Sequence, residues 1–527
     1  MQIMQKAKET KKNILFLLIA VFSLCLFFLP SAFNAFALFT QEDDIDEIIL
    51  ATMQRQNVPG VSVAIVQTGD DDEVSFDVSF HSQGYACLKE EIPVNEETFF
   101  YIASLTKAFT ALGVQFLEHR GHLSLNDPIN KHIEWLEFSH RSADFSMEEL
   151  SIFTLLHHTS GLGNFSHSAR IRPDDSPDAL YQAVRHINRT RLNSRPGSQY
   201  SYASSNYIVL GFLIEQISMT QYNMSYEEFM VEKILQPLGL YNTKMFREDA
   251  KSSGVLAVGH RSGWFRARPY EASIARSHTS TGFMLSNTSD MTRWLQFHLN
   301  PETAPYPFNI LIPNGHIKDA TVQPRDLPSG VYHYALGWDV NYYSGRLRHS
   351  GFIANVVAEA LFYQEEGIAI IVFMNSSSGQ PLNLVENILA IIRGEDTGNI
   401  SIGSPMQIMD IVFSTLSIFF IVLLIGLIAL IIYRIFKIRK EKIKRKNLSL
   451  KNKVVLGLLI LNMILLIIIF SLNPIMAGVS WSTAIAWMPV SAFTLLAFST
   501  LSIISIKLLV VFRIIFQKIP PQTLANE

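Results

Sequence analysis

The chain has 527 residues, 48% of them hydrophobic, with a mean hydropathy of +0.20 and a formal net charge of −3. That length exceeds one compact domain and suits one large domain plus a further part. The charge, and the lack of a basic stripe in the central region, exclude a nucleic-acid partner. With only Cys25 and Cys87, a cysteine-built zinc site is excluded too, as is an intrachain disulfide once the N-terminus is processed.

The N-terminus reads as an export signal over residues 1–37. Lys6, Lys8, Lys11 and Lys12 form a basic start, Asn13 to Pro30 an apolar run, and Ala35-Phe36-Ala37 a small-x-small cleavage pattern. The rival reading is an uncleaved membrane anchor. Residues 41–395 then read as one extracytoplasmic domain. Val61 to Gln67 is a buried strand after the Pro59-Gly60 turn, and Val74 to Phe80 alternates and can pair with it. Phe99 to Ser104 leads into a helix from Leu105 to His119, stopped at Arg120-Gly121. Leu123 to Asn300 is mostly helical, with Ile208 to Ile217 as an apolar helix. Strands return at Leu336 to Tyr343, Arg346 to His349, Val356 to Tyr363 and Ile368 to Met374. A helix from Leu382 to Ile392 closes the domain. Strands first, helices in the middle, then strands and a helix predict an α/β sandwich with a helical insertion. Its terminal strands join one sheet.

Three apolar, uncharged runs follow, Ile411 to Tyr433, Val454 to Leu472 and Ala484 to Ile506. Each approaches the roughly 20 residues that cross a bilayer core as helix. Residues 434–453 carry Arg434, Lys437, Arg439, Lys440, Lys442, Lys444, Arg445, Lys446, Lys451 and Lys453 against Glu441. The positive-inside rule puts this loop in the cytoplasm. The tail, 507–527, with Lys507, Arg513 and Lys518, lies there as well, and everything before Ile411 lies outside. A multi-pass cell-membrane protein with an external domain is predicted.

Chemistry enters at Ser104-Leu105-Thr106-Lys107. Residues three apart share a helix face, so Lys107 can reach the Ser104 hydroxyl. A serine hydroxyl is a weak nucleophile that needs an adjacent base, and a buried lysine loses its proton readily. Alone the pattern is weak: a chain this long holds roughly one or two by chance. Its company carries the case. Tyr202, in the loop Pro196 to Tyr207, can share a proton with Ser104 and Lys107. His349-Ser350-Gly351 lies on a strand, where His349 can orient substrate or the tyrosine and Gly351 lets a ligand approach the backbone. For Tyr202 and His349 alone, an ordinary core tyrosine and a strand-end histidine are the simpler readings. Leu155 to Leu162, containing His157 and His158, reads as a helix end with a glycine stop. There is no H-E-x-x-H and no phosphate-binding glycine loop, so no cofactor or metal is expected.

These elements, in this order, resemble the serine β-lactamase and penicillin-binding-protein superfamily, and among its branches class C with its esterase and peptidase relatives. Leu156 to Leu162 and Tyr334-Ala335-Leu336-Gly337-Trp338 are similar to further family segments, over roughly Ile45 to Ile392. The resemblance implies a β-lactamase/transpeptidase-like sandwich, an antiparallel sheet flanked by helices plus a helical subdomain. It implies Ser104 as the acylated nucleophile, Lys107 and Tyr202 as the base system, and His349 as a substrate-side residue. The backbone N–H groups of Ser104 and Phe352 would form the oxyanion hole.

A narrower resemblance is to the membrane-bound peptidases that activate nonribosomal-peptide prodrugs. The colibactin-maturation peptidase and its zwittermicin, xenocoumacin and amicoumacin counterparts belong to this group. Tyr202-Ala203-Ser204-Ser205-Asn206-Tyr207 looks like their Y-A-S-x-N-Y and Ala275-Arg276-Ser277-His278 like their A-R-x-H. It implies removal of an N-acyl-D-asparagine cap from an exported precursor, with Ser204 and His278 on the asparagine side chain. The pocket asparagine of that group falls at Ile353 here. Asn355, two residues on, is the candidate substitute, because strand alternation directs the two side chains comparably. Expected partners are an acylated, peptide-like substrate and the bilayer; an exporter and a second copy of the chain are further candidates. The alternatives are a cell-wall D,D-peptidase, β-lactamase or esterase on the same fold, and a non-catalytic wall sensor.

Overall fold

The computed structural model describes residues 44–69, 75–142, 144–163, 175–272, 275–311, 332–341, 344–397, 404–440, 448–476, 481, 485 and 487–516. The export-signal reading, Val74, residues 342–343, residues 441–447 of the basic loop and residues 517–527 of the tail lie outside them. The chain divides into two compact units, one of 39–261 with 267–404 and one of 262–266 with 1–38 and 405–527.

The first unit is built on a sheet. Helix α1 (Ile45–Gln56) starts where the Asp44 carboxylate accepts the Asp46 N–H at 2.7 Å, and ends at Asn57 in the left-handed region. Strands β1 (Gly60–Thr68), β2 (Phe76–Cys87) and β3 (Ile92–Pro93) follow, then the short β4 (Phe100–Tyr101). Helix α2 (Thr106–His119) and helix α3 (Ser204–Tyr222) belong to the helical layer. β5 (His260–Gly263) and β6 (Arg266–Pro269) form a hairpin, and β7 (Leu285–Ser286) pairs with β4. Five strands complete the sheet: β8 (Tyr332–Ala335), β9 (Trp338–Asn341), β10 (Arg346–Ile353), β11 (Val356–Tyr363) and β12 (Ile368–Met374). Helix α4 (Pro381–Arg393) closes the unit. The eight-stranded sheet runs β3-β2-β1-β12-β11-β10-β9-β8, so the terminal strands meet as expected, with Val61 opposite Met374.

Side-chain alternation divides two cores between the sheet's faces. Val61, Val63, Ile65, Ile370 and Val372 pack against Ile48 and Ile49 of α1 and Leu384, Val385 and Ile388 of α4. Ala64, Val66, Ala358, Ala360, Ile371 and Phe373 share a core with α2 and α3. This double burial is why β12 reads Ile-Ala-Ile-Ile-Val-Phe-Met without a polar residue. Helix α2 is buried at every position from Thr106 to Leu117, the mark of a central helix.

Three boundaries differ from the sequence reading for local reasons. β2 extends to Cys87 because it pairs with β1 as far as Gly84, opposite Gly60, and then with β3, Cys87 lying opposite Ile92. The strand expected from Leu336 to Tyr343 is broken at its start: Leu336 (φ 52) and Gly337 (φ 95) form a tight left-handed turn between β8 and β9. Helix α3 starts at Ser204, ahead of the apolar run from Ile208. The Leu336-Gly337 turn rests on α2, since a Cβ on Gly337 would lie 2.4 Å from the Ala108 Cα.

In the second unit, α5 (Pro405–Lys440) and α7 (Val490–Ile515) are long and apolar enough to cross a membrane; α6 (Leu450–Met476) is a further helix. The run expected from Ala484 becomes α7, capped by Pro489, whose ψ of 145° is not helical. Buried Ser414, Ser417, Ser491 and Ser502 let α5 and α7 approach closely, and Ser417 donates to the Ser491 carbonyl at 3.3 Å. Asp410 of α5 accepts the N–H groups of Trp264 and Phe265 at 3.0 and 2.9 Å.

Gly337→Ala forces a Cβ into the backbone of α2 at a positive φ. The expected cost is about 3 kcal/mol, combining the left-handed penalty with overpacking. A fall in the thermal unfolding midpoint of the full chain in detergent measures it; an unchanged midpoint contradicts the close approach of turn and helix.

Candidate active site

The structure brings Ser104, Lys107 and Tyr202 together. Ser104 sits in a short 3-10 turn, Ala103–Leu105, that leads into α2. Ala103 just before it is held at φ 48, a left-handed conformation costing an alanine roughly 1–2 kcal/mol. Lys107, one turn into α2, is fully buried, and its Nζ donates to Ser104 Oγ at 3.0 Å and to the Thr281 carbonyl at 2.7 Å. Tyr202 approaches through the loop before α3, and its hydroxyl donates to the same Ser104 Oγ at 3.0 Å. The Lys107 Nζ lies 5.1 Å from the Tyr202 ring centre and 5.9 Å from that of Tyr207.

Burial pulls the Lys107 pKa down from 10.5 to about 7, because desolvation penalises the ammonium, and no carboxylate among the described residues stands beside it to hold the charge. Burial acts on Tyr202 in the other direction, holding its phenol protonated well above its ordinary range. Near neutral pH the lysine is therefore the group able to accept a proton and the tyrosine the group able to give one. Their shared neighbour is the serine oxygen.

β10 forms the other wall. A Cβ on Gly351 would fall 2.7 Å from the Ile102 carbonyl oxygen and 3.1 Å from the Ala103 Cβ, so the strand runs against the serine turn itself. His349 is buried, and its Nδ1 donates to the Gly337 carbonyl at 2.5 Å, which leaves Nε2 as an acceptor. Burial, with the Lys107 charge second, pushes its pKa down to about 3. β10 thus presents a neutral imidazole. Phe352, expected to lend its N–H to an oxyanion, lies on this strand with its side chain 39% exposed.

The predicted substrate-side residues are distributed differently. Ser204 is the first residue of α3, two positions after Tyr202. His278 ends a 3-10 turn three residues before Thr281 and accepts the Thr281 hydroxyl on its carbonyl at 2.9 Å. Both are therefore on segments that carry bonds to the serine and lysine. Asn355 is buried in the β10–β11 turn, and its amide donates to the Tyr270 carbonyl at 2.8 Å. Ile353 is packed in the core shared with α2. The Thr281 carbonyl went unnoticed because a main-chain acceptor leaves no residue signature.

A nucleophile-base pair at a helix start, with a protonated phenol on the same oxygen, defines the acyl-transfer class of serine hydrolase sites. The chain belongs to the beta-lactamase family, a family of serine hydrolases, whose sequence model matches residues 45–393. It is similar to Protein flp of Staphylococcus aureus (strain MRSA252), 25% identical over 456 residues covering 85% of this chain and 86% of that protein. It is also similar to the unguisins hydrolase ungD' of Aspergillus campestris (strain IBT 28561). That likeness is 26% over 354 residues, 64% of this chain and 62% of the relative. A solved class C beta-lactamase shares the fold, with a TM-score of 0.53, 18% identity and coverage of 67% of this chain and 96% of that one.

Gly351→Ala separates β10 from the serine turn. Acylation is expected to slow about 100-fold, as for a displacement near 1 Å at a reacting centre. The rate of fluorophosphonate labelling measures it, and labelling at the wild-type rate contradicts the wall assigned to β10.

Proposed function

We propose that the protein is a membrane-held serine peptidase that removes an N-acyl-D-asparagine-type cap from an exported, peptide-like precursor. The observation that carries the reading is the Ser104 oxygen bonded at 3.0 Å to both Lys107 and Tyr202. Uncharged Lys107 takes the proton as Ser104 Oγ attacks the amide carbonyl. The oxyanion forms between the N–H groups of Ser104 and Phe352. When the C–N bond breaks, its electron pair stays on nitrogen, Tyr202 gives that nitrogen its proton, and the Lys107 ammonium restores the phenol. Water then cleaves the acyl-enzyme by the same groups in reverse.

The choice of substrate draws on other features. The Y-A-S-x-N-Y and A-R-x-H segments put Ser204 and His278 on the cap's side chain, and the likeness to an unguisins hydrolase is consistent with a peptide substrate. The neutral His349 offers no cation beside Ser104 for the free carboxylate of a penicillin or a wall-peptide terminus. The second reading, a cell-wall peptidase, β-lactamase or esterase, is favoured by one residue: Ile353 stands where the pocket asparagine is expected, and Asn355 is bonded to Tyr270. α5, α6 and α7 cross the membrane, with the basic loop in the cytoplasm and the hydrolase unit outside, next to an exporter.

Wild-type protein is expected to cleave N-octanoyl-D-asparaginyl methylamide, and Ser104→Ala to lose both this activity and fluorophosphonate labelling. Turnover of penicillins or wall peptides without the amide would decide for the second reading. Because the lysine acts uncharged, kcat/KM for the amide is expected to drop about tenfold per unit as pH falls below about 7, and to level off above it. A flat profile from pH 5 to 8 would remove Lys107 as the base.

A further inference from the structure

Tyr202 is placed from outside the catalytic set. It has no helix to hold it: it lies in an extended loop before α3, whose N-cap Ala203 makes no side-chain cap bond. The residues on either side of it are instead fixed to one residue. The N–H of Ser201 donates to the His158 carbonyl at 2.8 Å, and the N–H of Ala203 donates to His158 Nδ1 at 3.2 Å. Asn206 donates its side-chain N–H to the same Nδ1 at 2.7 Å. The Asn206 carbonyl oxygen accepts from Ser160 Oγ at 2.5 Å, which fixes the amide's orientation and hence Nδ1 as an acceptor. The His158 ring is buried and its centre lies 4.4 Å from that of Tyr202. His158 itself is held at φ 55.

We propose that His158 is the positioning residue that holds the Tyr202 hydroxyl on Ser104, setting the tyrosine up as proton donor to the leaving amine. An imidazole is suited to this because one atom, Nδ1, can accept from a backbone and a side-chain donor while the ring packs against the phenol at a tilt of 43°. The role requires an uncharged ring, since an Nδ1–H would point at two other N–H groups. Burial first, then the Lys107 charge, keeps His158 neutral. The neighbouring His157 does something different: its Nδ1 caps the Phe153 carbonyl at 2.8 Å and its ring stacks on Phe153, away from Tyr202.

The inference rests on the reading of Ser104 and Tyr202 given above, and the leaving group separates it from a general loss of structure. An amide needs a proton delivered to its nitrogen; a p-nitrophenyl ester of the same N-octanoyl-D-asparagine leaves without one. His158→Phe keeps the packing and removes the acceptor. Its amide turnover is expected to fall about 100-fold, and its ester turnover several-fold at most. His158→Asn, whose Oδ1 can stand in for Nδ1 and which tolerates a positive φ, is expected to recover much of the amide turnover. In the His158→Phe/Tyr202→Phe double variant, amide turnover should equal that of Tyr202→Phe alone.

Parallel loss on both substrates, an Asn variant no better than Phe, or multiplicative losses in the double variant would each overturn the role of His158. Failure of the site reading looks different. Wild type would then cleave no amide, or Tyr202→Phe would leave the amide-to-ester ratio unchanged, and both proposals would fall together. With wild type and Tyr202→Phe behaving as expected, an unchanged ratio in His158→Phe removes the His158 assignment alone.

Discussion

An ammonium group taken out of water is among the least favourable things a protein interior can hold, and the hydrolase unit is arranged around one. Among the described residues, Lys107 has no carboxylate partner. Its two contacts are a serine hydroxyl and the Thr281 carbonyl, so it is bonded well enough to be fixed and too poorly to stay charged. The rest follows from keeping water away from it. α2 is buried along its length, the Leu336-Gly337 turn sits on Ala108, and the tyrosine loop closes the remaining side.

The rings packed around that lysine are polar but uncharged. His158 and His349 are both held neutral by burial, and Tyr202, Tyr207 and Tyr334 are held protonated. A carboxylate at any of these positions would raise the lysine back toward its ordinary pKa and rule out the use as a base proposed for it. A second permanent cation would depress it further and repel the tyrosine's proton from the serine. Aromatic rings resolve the conflict, since they fill volume, offer their faces to a nearby cation and leave the proton where the hydroxyls need it.

Much of this was legible in the sequence because it rests on local patterns. Ser104 and Lys107 are one helical turn apart, β12 is an unbroken apolar run and β1 is apolar from Val61 to Val66 but for Ser62, and the serine-lysine spacing needs no long-range fold to make a contact. What escaped was made by main chain or by unusual backbone. The Thr281 carbonyl is invisible in a sequence, and Leu336 gives no sign that it takes a positive φ, so a turn read as strand. His157 and His158 are adjacent and chemically identical, yet one finishes a helix and the other holds the tyrosine loop. Only their opposite directions from the backbone separate them. Ser204 and His278 rest on a resemblance of pattern alone, whereas the bond from Asn355 to Tyr270 depends on how two distant loops meet.

The meeting of β1 with β12 has a consequence for how the chain could be rearranged. The helices that open and close the hydrolase unit, α1 and α4, share one face of the sheet and one core. Its two ends are therefore neighbours, and the order in which the strands are written along the chain is close to arbitrary. A circular permutant that joins these ends by a short linker and opens at the exposed Arg120-Gly121 turn would keep every strand pairing described. In that permutant Ser104 and Lys107 would stand near the carboxyl end of the unit, and Tyr202, Thr281 and His349 would precede them. The site is a property of the closed sheet and its central helix, indifferent to where the polymer begins.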